Sequence, residues 1–581
     1  MKINLSLWRN ERKYIILRIL NTMIREKLFQ YKLLDRIKLA EFNLPIKNKY
    51  IQINLNEQSF IFEVTKAEFL QTIKIISAQW FIVTSDNQLK PSSNIIKLIQ
   101  LIFNNFSLKN TETSNVLKLT IDEYKQAVLQ HIICQKHLSK TFKYADRNLY
   151  YYDFLASFLD HPLYPTARAK LGFINDELLK YSIENQAEFK LQWVAIEKHH
   201  LSNQGQLPDI WPNARDLKLD KSFDNSHFFI PYHPKMYHEI TKNLNQEDIP
   251  FIIAKKSYLT VMPTLSIRTV IVKNLAQTHI KLPLNIRTLS AKNIRTIKAS
   301  TINDGHQIQS LLNHILKLDT HLDSKVQLTD ESCGGHINEN PTLAYIIRRY
   351  PNETNKQIIV PIAALTAQEN QQLVIEKLAK EHFNGDLKLL LTHYIKLNLV
   401  VHLNLVLNYG IALEANQQNS QLIINPKDKK LSLLLKDNDS ARINSKSLLN
   451  QLPSTKAFID KIQDKRIIQA DETALIQMFS TIILQLNIAC VLEALIDKKL
   501  MIRKNAYRLL TELLNETITQ LDKQGINTKI LYDTLFNEDY LDIKYLYTSG
   551  TFLPKSTTQA SDINKFYGKS APNFLRMKYE S

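Results

Sequence analysis

Asp160-His161-Pro162-Leu163-Tyr164-Pro165-Thr166-Ala167-Arg168-Ala169-Lys170-Leu171-Gly172-Phe173 crowds two prolines, a histidine, two cations and a glycine into one short stretch. Each proline fixes its own φ and drives the residue before it, His161 or Tyr164, toward extended backbone, so the segment reads as a shaped loop and not as helix. Arg168 and Lys170 follow where regular structure would resume, which sets fixed positive charge beside a rigid turn, an arrangement suited to gripping a carboxylate or phosphate. A helix-connecting turn with solvated cations accounts for the same residues.

Four further words follow in order: Pro263-Thr264-Leu265-Ser266-Ile267-Arg268-Thr269, Lys281-Leu282-Pro283-Leu284, Leu413-Glu414-Ala415-Asn416-Gln417-Gln418-Asn419, and Leu435-Lys436-Asp437-Asn438-Asp439. This succession resembles the aerobactin-synthetase-like (IucA/IucC) family, siderophore synthetases that work without a nonribosomal peptide synthetase template. The family pattern runs HPxHPxxKxRxGF, PTxSxRT, KLPL, LEAHxQN and RD. The resemblance spans roughly residues 150 to 580, and its weight lies in the ordering, because any one word alone is weak.

The resemblance implies an α+β fold with a multi-lobed cupped-hand architecture of thumb, fingers and palm, in which mixed and antiparallel sheets and many helices surround a central cleft. It implies an ATP- and Mg²⁺-dependent ligase that adenylates a carboxylate of citrate, or of a citrate derivative, and condenses it with an amine, polyamine or hydroxylamine in siderophore biosynthesis. Ser266, Arg268, Thr269 and Lys281 would then contact nucleotide phosphates, with Gln418 and Asn419 holding nucleotide by their amides. Arg295, with Arg287 as a rival, would hold substrate carboxylate near the phosphate. Lys281, Arg295 and Asn416 are the catalytic candidates, and Glu414 and Asp437 would take Mg²⁺, with Asp439 as a spare. His161, Arg168, Lys170 and Lys555 would meet substrate. Such enzymes are often homodimers.

That assignment fits elementary chemistry: joining two anions, a carboxylate and a triphosphate, demands cations and hydrogen-bond donors that offset repulsion. Departures from the pattern are specific. Asn416 stands where the family has histidine, Tyr164 replaces the second histidine of the first word, Arg168 and Lys170 exchange order, Pro231-Tyr232-His233-Pro234-Lys235-Met236 lacks the tryptophan and glutamine of PxHPWQ, and Lys436-Asp437 replaces Arg-Asp. Asparagine donates a hydrogen bond as neutral histidine does but cannot become cationic, so a catalytically weak or silent relative that binds citrate-like ligands or a partner is the competing expectation.

Length and composition bound the rest. A chain of 581 residues favours several lobes, and 44% hydrophobic with 22% charged residues is ordinary for a globular protein. The net charge of +18 is compatible with nucleic acid, an anionic membrane face or small polyanions. Lys and Arg are spread along the chain and no nucleic-acid-binding word occurs, so no nucleic-acid partner is expected. With 10 glycines the chain offers no Gly-rich phosphate loop. Cys134, Cys333 and Cys490 are odd in number and far apart, which suggests neither disulfides nor a zinc site and fits a reducing cytoplasm. Cys333-Gly334-Gly335-His336 reads as a turn.

The N-terminus meets Arg9, Arg12 and Lys13 before any long apolar run, unlike a signal peptide. The apolar stretch Leu475 to Ile496 is interrupted by Gln477, Gln485, Asn487 and Glu493 and suits a buried helix better than a membrane span. Along the chain, 1–150 reads as a mostly helical N-terminal lobe, 151–410 as a central α/β lobe carrying substrate and nucleotide motifs, and 411–581 as a largely helical C-terminal lobe completing the site. Within these, Phe228-Phe229-Ile230 and Val270-Ile271-Val272 read as strands, Leu387 to Val406 as a helix ended by Asn408-Tyr409-Gly410, and Gln421–Ile424 with Leu431–Leu435 as a hairpin that delivers Asp437 and Asp439 at its end.

Overall fold

The three- and four-residue apolar spacing after Asp386 forms the helix Leu387–Leu403. It continues through a π-helical Asn404–Asn408 and stops where Gly410 takes φ +62°. A Cβ there would meet the Asn444 carbonyl at 3.0 Å, so glycine satisfies both the left-handed backbone and the close approach. The other long apolar run, Thr473–Asp497, is helical throughout. By length and composition both could cross a membrane, yet 78% and 89% of their apolar windows are buried inside the protein, which identifies them as core helices. The computed structural model describes residues 5–105, 111–138, 142–144, 148–351, 357–553 and 566–576.

Helices and sheets are mixed throughout, and the fold class is α+β as expected. An entirely antiparallel nine-stranded sheet occupies the middle of the chain. Its centre is Tyr258–Pro263, Thr269–Val272, Leu275–Lys281, Ala344–Arg349 and Asp330–Ile337, in that spatial order. Register decides which side chains meet, because directly opposed residues share a face. Thr269 opposes Lys281, Lys281 opposes Ile346, and His279 opposes Arg348. Lys281, Thr269 and Arg348 therefore project from one face. A four-stranded sheet follows, containing the hairpin Ser420–Asn425/Lys430–Leu435 with Val326–Leu328 parallel to its second strand. Asp437 leaves that strand with φ +53°, the left-handed turn expected of Asp or Asn.

Two features depart from the sequence reading. Residues 1–150 carry, besides their helices, a six-stranded antiparallel sheet. Its first hairpin joins Lys49–Leu55 to Gln58–Lys66 through Asn56 at φ +52°, and Ile51, Ile53 and Leu55 point inward with period two. Gly334 and Gly335 lie within the strand Asp330–Ile337 and not in a turn. A Cβ on Gly334 would meet the Tyr345 carbonyl at 2.9 Å, and one on Gly335 the Ser202 carbonyl at 3.0 Å, so these glycines admit close strand neighbours.

Candidate functional site

The loop between Pro263 and Thr269 is wound tightly. Thr264 Oγ1 donates to the Thr269 carbonyl at 2.8 Å, Ser266 Oγ accepts from the Thr269 N–H at 3.2 Å, and Ile267 holds φ +64°. This geometry ties down Ser266 Oγ and delivers the Arg268 guanidinium into a cleft of about 210 Å³. Two adjoining chambers share Arg268, Lys281, Glu414, Asp439 and Lys544 in their walls, so they form one continuous cleft. Its lining gathers His161, Ser266, Arg268, Thr269, Lys281, Arg295, Glu414, Asn416, Gln418, Asn419, Asp437 and Asp439 from segments up to about 280 residues apart.

Asp437 is the hub of one ion network. Its Oδ1 lies 2.6 Å from Lys281 Nζ and 2.6 Å from Arg348 Nη2, while its N–H donates to Glu331 Oε1 at 2.9 Å. Arg348 Nε closes the ring on Glu331 at 2.8 Å. Burial works to raise the Asp437 carboxyl, but Arg348, Lys281 and Lys436 outweigh it and hold it well below the usual carboxylate range. Asp439 moves the other way: burial, Asp437 and Glu331 push it up, and among the described residues it has no ion pair. A second pair, Lys544 Nζ to Glu414 Oε1 at 2.7 Å, faces this network across the cleft lining. Burial would lower Lys544, yet Glu414 keeps it above its ordinary value.

Among the four Lys and Arg side chains lining the chamber that holds His161 and Asn416, Arg268 and Arg295 have no ion pair among the described residues. Arg268 Nη1 donates to the Thr296 carbonyl at 2.8 Å and Arg295 Nε to Thr288 Oγ1 at 2.6 Å, contacts that orient the heads without cancelling their charge. Burial and then the neighbouring Arg268 pull Arg295 down to about 10, and burial also lowers Arg268. Two guanidiniums lining one chamber are a charge arrangement suited to an anion. Arg287 is not in the lining; its backbone pairs with Leu171 instead.

His161 and Asn416 spend their acceptors on backbone. His161 Nδ1 accepts from the N–H groups of Leu163 and Tyr164, each at 3.1 Å, which assigns the ring proton to Nε2. Burial, Arg18, Lys544 and Arg25 lower the ring to about 3, so it stays neutral. Asn416 Oδ1 accepts from the N–H groups of Gln418 at 3.0 Å and Asn419 at 3.1 Å, and Asn419 Nδ2 donates to the Glu414 carbonyl at 3.0 Å. The LEAN loop is thus self-braced, with the Asn416 amide nitrogen left as a donor.

Arg168 and Lys170 do not reach the cleft. Arg168 is buried, with Nε 2.9 Å from Asp160 Oδ1 and Nη1 on the Ser157 carbonyl, and Lys170 Nζ lies 2.9 Å from Glu184 Oε1. The rigid loop bends its own carboxylate back onto the cation eight positions later, so the charge that looked available for substrate is spent on holding the loop. Likewise Lys235, of the PYHPKM word, pairs with Glu177 at 2.7 Å, and His233 Nδ1 accepts from the Lys235 N–H at 3.1 Å. Lys555 lies outside the described residues. Sequence reading missed Arg348, Glu331 and Lys544, which sit in strands outside any of the quoted words, so only the packing of the sheets brings them to the site.

Residues 152–367 match the model of the IucA / IucC family, and residues 388–547 match that described as ferric iron reductase FhuF-like transporter. Among curated proteins, the chain is 24% identical over 59% of its length to staphyloferrin B synthase of Staphylococcus aureus, covering 62% of that protein. It is 23% identical over 62% of its length to citryl-spermidine/3,4-dihydroxybenzoyl-citryl-spermidine:spermidine ligase of Bacillus anthracis, covering 62% of it. It is 25% identical over 52% of its length to D-ornithine--citrate ligase of S. aureus, covering 51%. The matched regions thus span about three fifths or less of these relatives. Two solved structures share the fold. The petrobactin biosynthesis protein AsbB of B. anthracis superposes with a TM-score of 0.76 at 16% identity, over 98% of this chain and 96% of that one. ATP-bound aerobactin synthetase IucA of Klebsiella pneumoniae superposes with a TM-score of 0.70 at 15% identity, over 97% and 100%.

Proposed function

We propose, for a chain that belongs to the IucA / IucC family through residues 152–367, that the cleft activates a carboxylate of citrate or a citrate derivative with ATP and passes it to an amine. The observation that carries this reading is the convergence of Arg268 and Arg295, unpaired, with the paired cations Lys281 and Lys544 in one cleft. The net reaction it fits is attack of a carboxylate oxygen on the α-phosphorus with pyrophosphate leaving, then attack of an amine nitrogen on the acyl carbon with AMP leaving and a proton passing to water.

In this reading Arg268 and Arg295 bring the two anions together, offsetting charge that would otherwise hold them apart. Lys281 and Lys544 sit on carboxylates in the free protein and can turn toward phosphate when it arrives. Neutral His161, with its proton on Nε2, and the Asn416 amide donate hydrogen bonds; neither adds charge. Mg²⁺, when bound, would supply positive charge that offsets the phosphate charge. Glu414 and Asp437 would hold it, and Asp439 fits the role further, because its proximity to Asp437 and Glu331 is a repulsion that a divalent cation relieves. Gln418 and Asn419 would contact the nucleotide.

The names of relatives include both spermidine and ornithine, which leaves a polyamine and an amino acid as acceptor classes. Three free cysteines fit a reducing, cytoplasmic setting for siderophore biosynthesis, and a homodimer, checked by light scattering, is the assembly the family resemblance implies. The test of activity is citrate-dependent hydroxamate formation with hydroxylamine as trapping nucleophile. Product that disappears in Arg268→Ala supports acyl activation at this cleft. No product with any polycarboxylate, from folded protein that still binds ATP, would leave a catalytically silent relative.

A further inference from the structure

A second cavity, of about 870 Å³, opens between the helix Leu5–Arg25, the segment 66–74 and the helix Cys490–Asp497. Its wall has no residue in common with the chamber that holds His161 and Asn416, so backbone separates the two and an occupant of the larger space takes no part in the chemistry of the cleft. What the two spaces share is a loop. Asp160 and Pro162 line the cavity while His161, between them, lines the cleft.

The charges of the cavity wall divide into spent and unspent. Lys66 Nζ lies 2.9 Å from Glu68, and Arg503 reaches Glu493 at 2.5 and 2.6 Å. Arg18, Arg25 and Lys74 have no ion pair among the described residues. Arg18 Nη2 donates to the carbonyls of His161 at 2.7 Å and Tyr164 at 2.8 Å, and its Nε to that of Pro165 at 3.0 Å; Arg25 Nη2 donates to that of Leu163 at 2.5 Å. Carbonyl oxygens orient these guanidiniums without neutralising them. Asp160 is taken by Arg168 and by the Tyr14 hydroxyl, so Asp497 is the one carboxylate of the wall without an ion pair among the described residues. Leu17, Phe69 and Leu159 add apolar surface.

We infer that this cavity is a regulatory site for an organic anion with two or more carboxylates, and that filling it slows the reaction in the cleft. The carboxylates face Arg18, Arg25 and Lys74, and the carbon body covers the apolar wall. Arg18 is the link between the two spaces. A carboxylate accepts more strongly than a carbonyl and grips a guanidinium in bidentate fashion, so it draws Arg18 Nη2 from the carbonyls of His161 and Tyr164. The loop then loses the contact that fixes the His161 backbone, and the cleft loses a placed hydrogen-bond donor. Two sources carry this chemistry: citrate itself, and the amide product, which keeps the carboxylates that were not joined. The regulation rests on the ligase reading; the binding does not.

Equilibrium dialysis with labelled citrate counts the sites. The wild type is expected to bind at two, Arg268→Ala to lose one, and Lys74→Glu, at an exposed position, to weaken the other about tenfold, the worth of one charge-assisted contact. A single site that Arg268→Ala removes, or a second site indifferent to Lys74→Glu, overturns the inference. Absence of an Arg268-dependent site, or of any hydroxamate, counts against the ligase reading instead and leaves dialysis to decide the cavity. Hydroxamate formation reads the link: citrate above its KM is expected to slow the wild type, and Lys74→Glu to need about tenfold more citrate for the same slowing. No slowing, or slowing that Lys74→Glu does not shift, overturns the regulation. In Arg268→Ala protein, where the cavity alone binds, displacement of labelled citrate by unlabelled citrate and by citrate monohydroxamate tells the sources apart: the one that displaces at the lower concentration is the occupant, and displacement by neither overturns the site.

Discussion

Arg348→Met removes a side chain that the sequence gives no reason to notice and that the structure makes central. The residue is 2% exposed, donates from Nε to Glu331 Oε1 at 2.8 Å and stands 2.6 Å from Asp437 Oδ1 through Nη2. A hydrogen bond to a charged group contributes about 1.5–3 kcal/mol, and removing one partner of a buried ion pair costs about 3–5 kcal/mol because a carboxylate is left uncompensated. Here the carboxylates keep other partners: Lys281 for Asp437, and the Thr329 hydroxyl with the Asp437 N–H for Glu331. The expected loss is therefore at the low end, about 3 kcal/mol.

Urea titration followed by tryptophan fluorescence reads this directly, since Trp193 lies buried in the same sheet. Arg348→Lys keeps the charge but not the two-headed reach, and is expected to fall between wild type and Arg348→Met. The pH dependence separates the ion network from mere packing. Because the folded Asp437 sits well below its ordinary value, its stabilisation is fully present above the unfolded carboxylate value and is lost as pH falls through the folded one. The difference between wild type and Arg348→Met should thus hold at neutral pH and narrow below about pH 4. A loss under about 1 kcal/mol, or one that does not change with acid, would refute the reasoning.

Other substitutions probe separate parts of the site. Arg268→Ala should reduce citrate-dependent hydroxamate formation by about 10²-fold or more while leaving the melting temperature nearly unchanged, since it breaks no ion pair. Lys170→Met should cost about 3 kcal/mol of stability, the low end for a buried pair because Glu184 keeps Arg168 at 3.8 Å, with the KM for citrate unaltered; a large rise in that KM would return Lys170 to the substrate. Asn416→Leu should lose two backbone hydrogen bonds, about 1–3 kcal/mol by thermal or chemical melting, and turnover with them, whereas Asn416→Asp keeps both acceptors and most of the stability.

What the sequence disclosed and what it withheld divide along a physical line. Ser266, Arg268, Glu414, Asn416 and Asp437 are legible because they sit in turns, where proline, Asn and Asp mark the backbone and where unusual residue order is not masked by periodicity. Arg348 and Lys544 are not, because each stands in a strand and acquires its partner only when neighbouring chains set the register: His279 opposite Arg348 places it beside Lys281, and the pair then meets Asp437 from another sheet. The N-terminal sheet was legible in principle, through Ile51, Ile53 and Leu55, but the longer helical periods around it dominate the reading. Arg168 and Lys170 show the opposite error. A cation beside a rigid turn is read as free when nothing nearby cancels it, yet Asp160 was in the quoted stretch and Glu184 only fourteen positions beyond Lys170. A carboxylate inside the same shaped loop is the first partner to test before a ligand is assigned, because closing a short loop on its own charge costs less ordering entropy than recruiting an ion from solution.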